Sequence, residues 1–352
     1  TLERKVSSGY WAMSNMEIWK TETLETDWEA DYFGSTPPMS LYLLAITISN
    51  FQCVTNETMD GLKVDVCSRP NAFDQTQFAS TIAAPMQDWF AEYHNVSFPL
   101  GKNTHVAVPD FSAGAMENWG LIIYRETALL FDEASSTSSQ RQRVAVVVSH
   151  ELAHMWFGNL VTMKWWDDVW LNEGFASYME VRGVDSQFPE WNMDADFVIG
   201  DIQRVFELDA LPTSHPVYLT VNNPAEISQL FDTITYSKGS SVIRMMRNFL
   251  GEETFRKGLS NYLKNRQYQE ATHQDLFKFL TEQAKEDGKD IDVHAVMNTW
   301  ILQMGYPVVT FNFDRSAGKI TLDQKHFLLD PTSRDQVPPS DYNYIWKVPI
   351  TY

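Results

Sequence analysis

The sequence predicts an α+β fold, and three patterns along the chain support this prediction. Residues 1–50 alternate between apolar and polar side chains, as half-buried strands do. From residue 138 onward the apolar residues follow a helical period, and after Pro307 the pattern reverts to short strands and turns. Strands followed by a run of helices and then by strands again are typical of an α+β protein.

The amino-terminal region is expected to contain strands with a single helix among them. Residues 41–49 form a strongly apolar stretch after a break at Pro37 and Pro38, and we predict a strand there. Residues 51–125 mix hairpin strands with one helix, which we place at residues 78–92.

Two cysteines and two sequons lie in this region. Cys53 and Cys67 flank an Asp-Gly pair at residues 60–61, which favours a hairpin turn. The two cysteines could face each other and form a disulfide, or lie there as half-buried thiols, and the sequence leaves both open. N-glycosylation sequons begin at Asn56 and Asn95. Together these features indicate an extracellular setting.

The central region is expected to be helical. Serines at the start of the stretch can cap a helix, residues 141–156 contain neither Pro nor Gly, and Gly158 lies where a carboxyl-terminal cap is expected. Further helices are predicted over residues 168–181, 191–208, 238–249, 252–265 and 273–285. The composition changes near residue 305, and strands are then predicted over residues 308–313, 319–322 and 344–351.

The composition excludes several classes of function. With 46 acidic and 27 basic side chains the formal net charge is -19, a field that repels phosphate backbones and anionic lipid. We therefore expect no nucleic-acid partner. No apolar run approaches the roughly 20 residues that span a bilayer. The chain also begins without an initiator Met, so we expect it to be a piece of a longer protein whose membrane anchor, if it has one, lies outside this chain.

A short motif in the first central helix indicates a metal site. His150 and His154 are four residues apart, which places both imidazoles on one helix face, a single turn apart. This spacing lets both side chains bind one zinc ion, and Glu151 on the neighbouring side of the turn can take a proton from water. The same pattern also arises by chance on ordinary surface helices, so it predicts a metal only together with a third ligand.

Glu173 is the candidate third ligand, because catalytic zinc takes three protein ligands and keeps one position open. It lies on a predicted second helix, 19 positions beyond His154 (173 − 154). The alternative is a solvated helical carboxylate. The aromatic residues around it indicate burial instead, and a buried carboxylate needs a partner such as a metal. These aromatic residues are Trp165, Trp166, Trp170, Phe175 and Tyr178.

These residues resemble the zinc aminopeptidase family, which includes aminopeptidase N and glutamyl aminopeptidase. The family pattern is H-E-x-x-H, eighteen residues and then Glu, preceded by a Gly-Ala-Met-Glu-Asn motif. That second motif is intact here and is followed by Trp119 and Gly120. Its residues are Gly114, Ala115, Met116, Glu117 and Asn118. The similarity extends through Tyr236-Ser-Lys-Gly239 to Pro307 and so covers essentially the whole chain.

The resemblance implies a role for each matching residue. Glu117 would bind the α-ammonium group of the substrate, with the backbone of Gly114, Ala115 and Met116 along the peptide. Tyr236 would donate a hydrogen bond to the oxyanion of the tetrahedral intermediate, and Glu151 would be the general base. One zinc ion per chain, held by His150, His154 and Glu173, is the implied cofactor. Without the motif, Glu117 would be taken for a loop carboxylate and Tyr236 for an aromatic residue packed at a helix start.

The resemblance also implies an architecture, a thermolysin-like catalytic domain of the α+β class flanked by β-domain segments. We expect residues 1–50 to be the end of an N-terminal β-domain, residues 51–305 the catalytic domain and residues 306–352 the start of a β-sandwich. Family members add further domains that close the cleft, and most of these are absent here. Whether the chain hydrolyses peptides by itself therefore stays open.

The expected function is hydrolysis of the N-terminal residue from peptides with a free N-terminus. Residue 113 is Ala here, whereas the glutamyl aminopeptidases that the chain resembles have Thr at this position, which assists recognition of an acidic first residue. The alanine therefore favours neutral first residues and broad specificity. A zinc endopeptidase would share the metal ligands but has no use for Glu117. A second alternative is a cell-surface ectodomain that acts mainly as a receptor or binding surface. The chain retains Glu151 and every ligand, which favours the enzyme, and a homodimer stays open.

Overall fold

The computed structural model describes residues 1–350, and within them the chain divides into two compact units. The first unit consists of Thr1–Thr162, Met179–Met193 and Leu263–Glu270. The second consists of Met163–Tyr178, Asp194–Tyr262 and the chain from Ala271 to the end of the described residues.

Strands dominate the beginning of the chain and helices its middle, as predicted. The strands are β1 (Leu2–Lys5), β2 (Trp11–Ser14), β3 (Ile18–Thr23), β4 (Trp28–Phe33), β5 (Ile46–Ser49), β6 (Gln52–Glu57), β7 (Lys63–Ser68), β8 (Lys102–Val108), β9 (Ala115–Met116), β10 (Leu121–Arg125), β11 (Val161–Met163), β12 (Gln269–Ala271), β13 (Pro307–Asp314) and β14 (Lys319–His326). The α-helices are α1 (Gln77–His94), α2 (Glu126–Leu129), α3 (Ser138–His154), α4 (Trp170–Gln187), α5 (Met193–Phe197), α6 (Arg204–Asp209), α7 (Gly239–Leu250), α8 (Glu252–Arg266), α9 (His273–Glu286) and α10 (Val293–Ile301).

A five-stranded sheet in the order β6-β7-β8-β10-β9 is the centre of the first unit. β8 pairs in parallel with β7 and β10, while β6 and β9 pair antiparallel at the two edges. Residues 102–107 of β8 are all buried, as expected for a central strand covered on both faces. The predicted helix at residues 78–92 is confirmed as α1, which packs against β6, β7 and α3.

The strand predicted over residues 41–49 is correct only in its second half. A 3-10 turn occupies Leu41–Leu43, and β5 begins at Ile46. The buried side chain of Asn15 explains the interruption. Its Nδ2 donates to the carbonyl of Leu43 at 2.8 Å and its Oδ1 accepts from the amide of Ala45 at 3.1 Å. The side chain of Asn15 therefore bonds the backbone groups of Leu43 and Ala45 that a neighbouring strand would otherwise have bonded.

The two cysteines form a disulfide. Cys53 and Cys67 lie directly opposite each other in the β6–β7 ladder, and their sulfur atoms are bonded. Cys67 belongs to a buried apolar cluster with Met13, Ala45 and Leu121. The structure thus resolves the alternative between a disulfide and two thiols in favour of the disulfide.

Irregular turns separate several helices of the second unit. The helix predicted over residues 191–208 is broken into α5, a π-helical turn at Val198–Gln203 and α6. A second π-helical turn, Ile234–Lys238, leads into α7. Helix α10 was not predicted, although Asp292 carries the signal, since its side chain accepts from the amide of Ala295 as an N-cap.

The carboxyl-terminal hairpin of β13 and β14 confirms the first two strands predicted after residue 305. The strand predicted over residues 344–351 is wrong for residues 344–350, which form a turn and irregular chain, and Thr351 lies outside the described residues. The side-chain amide of Gln324 takes the strand partner's place. It accepts from the amide of Trp346 at 2.8 Å and donates to the carbonyl of Trp346 at 2.7 Å.

The two compact units do not follow the boundaries expected at residues 50 and 305. The apolar cluster of the first unit joins Met13 and Ala45 with residues beyond position 50. The second unit runs continuously from Ala271 past residue 305. The division into an N-terminal β-domain, a catalytic domain and a β-sandwich therefore stays a prediction.

Replacing Cys53 and Cys67 together by serine is expected to lower the free energy of unfolding by about 2–4 kcal/mol, because the bridge restricts the unfolded chain. The bonded residues are 14 positions apart. Urea unfolding followed by circular dichroism measures the change. Reductant should weaken the wild-type protein by a similar amount and leave the double-serine variant unaffected. An unfolding midpoint that responds to neither treatment would contradict the prediction.

Candidate active site

Helix α3 brings His150 and His154 to one place. A capping box fixes its start, since Thr137 accepts from the amide of Gln140 at 3.2 Å while the side chain of Gln140 accepts from the amide of Thr137 at 2.7 Å. The two imidazoles, one turn apart near the other end of the helix, point their Nε2 atoms toward each other at 3.1 Å. The two imidazoles therefore lie on one helix face, as the four-residue spacing predicted.

Both imidazole rings are fixed from behind. The Nδ1 of His150 lies 2.6 Å from Oε2 of Glu180, and the Nδ1 of His154 lies 3.0 Å from the carbonyl oxygen of Phe157. A carboxylate and a carbonyl accept hydrogen bonds, so each Nδ1 carries a proton, and in a neutral ring Nε2 then presents a lone pair. Two Nε2 atoms 3.1 Å apart are close enough for one cation to bind both.

Glu173 completes the cluster. One ligand atom each from His150, His154 and Glu173 lies within 4.8 Å of the others. Glu173 and His154 are buried, and His150 is half-buried. Two imidazole nitrogens and one carboxylate oxygen are a donor set of catalytic zinc sites. The three residues predicted as ligands therefore form a cluster that can hold a metal ion.

Glu180 was not predicted, although the sequence contains a signal for it. It lies seven positions after Glu173 (180 − 173) on α4, two helical turns further along the same face. Its carboxylate orients the imidazole of His150, as carboxylates commonly do for histidines that bind metal ions. The carbonyl of Glu180 also accepts from the hydroxyl of Ser149 at 2.9 Å, which attaches this part of α4 to α3.

The general-base candidate Glu151 is buried, with 5% of its surface exposed. Burial and the negative charge of Glu151 raise the pKa of the fully buried Tyr124 well above its ordinary value. The hydroxyl of Tyr124 lies 2.8 Å from Nδ1 of His105. Burial, and to a smaller extent the charge of Lys102, lowers the pKa of His105 to about 3, so this histidine is neutral. A carboxylate in such surroundings is a base shielded from bulk water.

The Gly-Ala-Met-Glu-Asn segment forms an edge of the five-stranded sheet. Ala115 and Met116 pair antiparallel with Tyr124 and Ile123, as strand β9. The following residue, Glu117, is buried, and its carbonyl accepts from the side-chain amide of Asn159 at 2.8 Å. The predicted binding residues Gly114 to Asn118 thus include an edge strand and a buried carboxylate.

Tyr236 lies in the π-helical turn Ile234–Lys238 and is half-buried. The helix predicted from residue 238 begins one residue later, at Gly239, so Tyr236 lies in the turn before α7. π-helical turns occur frequently at functional sites. The buried residues of α7 include Val242, Ile243 and Met246.

A contact between two glycines joins the segments that carry Glu173 and Tyr236. A Cβ atom at Gly174 would lie 3.0 Å from the carbonyl carbon of Gly239, and one at Gly239 would lie 3.2 Å from the Cα of Gly174. The backbones of α4 and α7 therefore approach more closely than larger side chains allow. Gly239 ends the matching segment Tyr236–Gly239 and Gly174 follows Glu173 directly, and this contact is a physical reason for glycine at both positions.

An H-E-x-x-H helix with a carboxylate from the following helix is the arrangement typical of metallopeptidase active sites. Residues 78–300 match the peptidase family M1 domain, and the chain belongs to this family. It is 48% identical to rat aminopeptidase N over 97% of this chain and 36% of that protein. Human aminopeptidase N is 46% identical over 93% of this chain and 34% of that protein.

Rat glutamyl aminopeptidase is 43% identical over 97% of this chain and 35% of that protein. The chain spans about a third of the length of the curated relatives it matches. These similarities confirm the resemblance seen in the motifs. Among residues 1–350, no helix has both the length and the apolar character needed to cross a membrane.

Replacing Glu180 by Gln is expected to weaken metal binding by about 10–100-fold, because the imidazole of His150 loses the carboxylate that orients it. Competition with a chromogenic chelator measures the affinity for zinc. Glu190→Gln is the matched control, since Glu190 is exposed. Equal zinc affinity of the two variants would show that the Glu180 contact does not support the metal site.

Proposed function

We propose that this chain is the catalytic region of a zinc-dependent aminopeptidase that removes the N-terminal residue from peptides. The observation that carries the proposal is the cluster of His150, His154 and Glu173, in which both histidine rings are fixed with their Nε2 atoms 3.1 Å apart. Family membership supports zinc as the metal and peptides as the substrates. A bound zinc ion would lower the pKa of a water molecule and polarise the scissile carbonyl.

Glu151 is the proposed general base. It follows His150 directly in α3, and its side chain is buried. In the proposed reaction Glu151 takes a proton from the attacking water and later returns it to the leaving amine. The hydroxyl of Tyr236 donates to the oxyanion that develops on the substrate carbonyl.

Recognition of the N-terminus is assigned to Glu117 and strand β9. An edge strand has backbone groups that an extended peptide can pair with, independently of the peptide's side chains. Glu117 at the end of β9 then binds the terminal ammonium group as a charge-assisted partner. Asn118 contributes an acceptor, since its buried Oδ1 has no hydrogen-bond partner within residues 1–350.

Ala113, an exposed residue before this strand, supports a preference for neutral first residues. An extracellular setting is supported by the Cys53–Cys67 disulfide and by the exposure of both sequon residues, Asn56 and Asn95. A protein that acts mainly as a receptor is not favoured, because such a role requires no converging metal ligands and no buried base.

Replacing Glu151 by Gln is expected to lower kcat by about 10²–10⁴-fold, the usual contribution of a general base, without loss of zinc. An aminoacyl-fluorophore assay, with metal content measured by atomic absorption, tests this. Removing zinc with a chelator should abolish the activity of the wild-type protein, and zinc should restore it. A zinc-loaded Glu151→Gln variant at the full rate would exclude Glu151 as the base.

Replacing Glu117 by Gln is expected to raise KM for substrates with a free N-terminus, because the ammonium group loses its charged partner. A substrate with an acetylated amino group should be cleaved poorly by the wild-type protein. The panel of Ala, Leu, Glu and Arg substrates tests the preference for neutral residues in the same assay. Equal cleavage of blocked and free substrates would indicate an endopeptidase.

A further inference from the structure

An ion pair stands at the start of the turn that carries Tyr236. Nε2 of His215 lies 2.7 Å from Oδ2 of Asp232, and Nδ1 of His215 lies 2.7 Å from the carbonyl oxygen of Pro216. A carbonyl oxygen only accepts, and an ionised carboxylate also only accepts. The imidazole satisfies both contacts when it carries a proton on each nitrogen, so the geometry is that of an imidazolium.

Asp232 transmits this contact to the turn. Its Oδ1 accepts from the amide of Thr235 at 3.0 Å, and its backbone carbonyl accepts from the amide of Tyr236 at 3.1 Å. The side chain and the backbone of one residue therefore hold the first residues of the π-helical turn. A carboxylate that accepts amide bonds at the start of a helical turn is stabilised by a cation beside it.

The other end of the turn is anchored by a second ion pair. The ammonium of Lys238 lies 2.7 Å from Oδ2 of Asp209 and 3.0 Å from the carbonyl oxygen of Gly305. Asp209 in turn accepts from the amide of Gly305 at 2.8 Å. Tyr236 thus lies between two ion pairs, and the one at the start of the turn contains a histidine, whose charge changes near neutral pH.

We propose that His215 is a positioning residue, which as an imidazolium holds Asp232 and, through Asp232, the turn that carries Tyr236. The proposal rests on the oxyanion role of Tyr236 proposed above. His215 is a positioning residue and not a catalytic one, because its contacts are to Asp232 and Pro216.

The charges around His215 favour the protonated form. Burial lowers its pKa, but the bonds to Asp232 and to the carbonyl of Pro216 outweigh burial, and the pKa is raised above its ordinary value of 6.5. The positive charge of Lys238 acts in the opposite direction and is the weakest contribution. Burial raises the pKa of Asp232, yet the bonds from His215 and Thr235 lower it below 3.8 overall.

The direction of these shifts sets the pH window of the contact. A raised histidine pKa means that the contribution is fully present below pH 6.5 and is lost as the pH rises through the folded value. The lowered pKa of Asp232 means that its contribution is present above pH 3.8 and is lost as the pH falls through its folded value. The turn is therefore held at mildly acidic to neutral pH and released at alkaline pH.

A double-mutant cycle on the zinc-loaded protein separates positioning from general stability. The variants are His215→Gln, Tyr236→Phe and the two combined, and His294→Gln is the control because this half-buried histidine lies on α10 and packs on Phe277. Loss of an oxyanion donor costs about 10²–10³ in rate, so we expect Tyr236→Phe to lower kcat by that factor and His215→Gln by about 3–30-fold. KM should stay nearly constant in both, since the bond is made in the transition state.

The combined variant decides between the two explanations. If His215 acts through Tyr236, adding His215→Gln to Tyr236→Phe should lower kcat by less than about 2-fold further. Multiplicative effects, or an unchanged kcat in His215→Gln, would overturn the positioning role while leaving Tyr236 in place. A full rate in Tyr236→Phe would instead overturn the oxyanion role proposed for Tyr236.

A measurement without turnover tests the same link. In protein labelled with ¹³C-tyrosine, the signal of Tyr236 is assigned through Tyr236→Phe and followed from about pH 5.5 to about pH 9, the range in which histidine titrates. We expect a transition with a midpoint above 6.5, coincident with that of His215, retained in His294→Gln and absent in His215→Gln. A Tyr236 signal that stays constant while His215 titrates would overturn the proposal.

Discussion

Two imidazole rings, His150 and His154, hold their Nε2 atoms 3.1 Å apart. The Nδ1 of each ring donates a hydrogen bond to a protein oxygen, so neither ring can rotate without breaking that bond. Several residues of the first unit hold the two rings in these positions. The capping box at Thr137 fixes the start of the helix, and Glu180 and Phe157 supply the acceptors. The rings are thus prepared for a cation by interactions that lie outside the ligand set.

The pairing of His150 and His154 could be predicted from the sequence because helical periodicity alone brings residues four apart to one face. Glu173 could be predicted for a different reason, because the aromatic residues around it indicated a buried carboxylate. Glu180 lies on the same face of α4, but its role depends on which way the helix is turned, and that is decided by tertiary packing. The α+β class and most helices followed from apolar periodicity, whereas the division into domains stays a prediction.

Two further differences share one cause, which is that a side chain bonds backbone groups that are distant in sequence. The side chain of Asn15 bonds the backbone of Leu43 and Ala45, where the strand expected before Ile46 is interrupted. The side chain of Gln324 likewise bonds the amide and carbonyl of Trp346, where another strand was expected. The disulfide is a similar case, because its formation depends on the register of β6 and β7. Register and such long-range bonds are properties of the folded chain, and the local pattern of residues does not contain them.

The π-helical turn Ile234–Lys238 has a consequence for the aim of the Tyr236 hydroxyl. A π-helical turn contains one residue more than an α-helical turn, and each residue advances a helix by about 100°. If α7 simply continued backward as a regular helix, position 236 would point in a different direction, because part of the extra residue's rotation lies between it and Gly239. The direction of the hydroxyl is therefore set by the number of backbone residues before α7. Deleting one residue there would redirect the side chain without altering its chemistry.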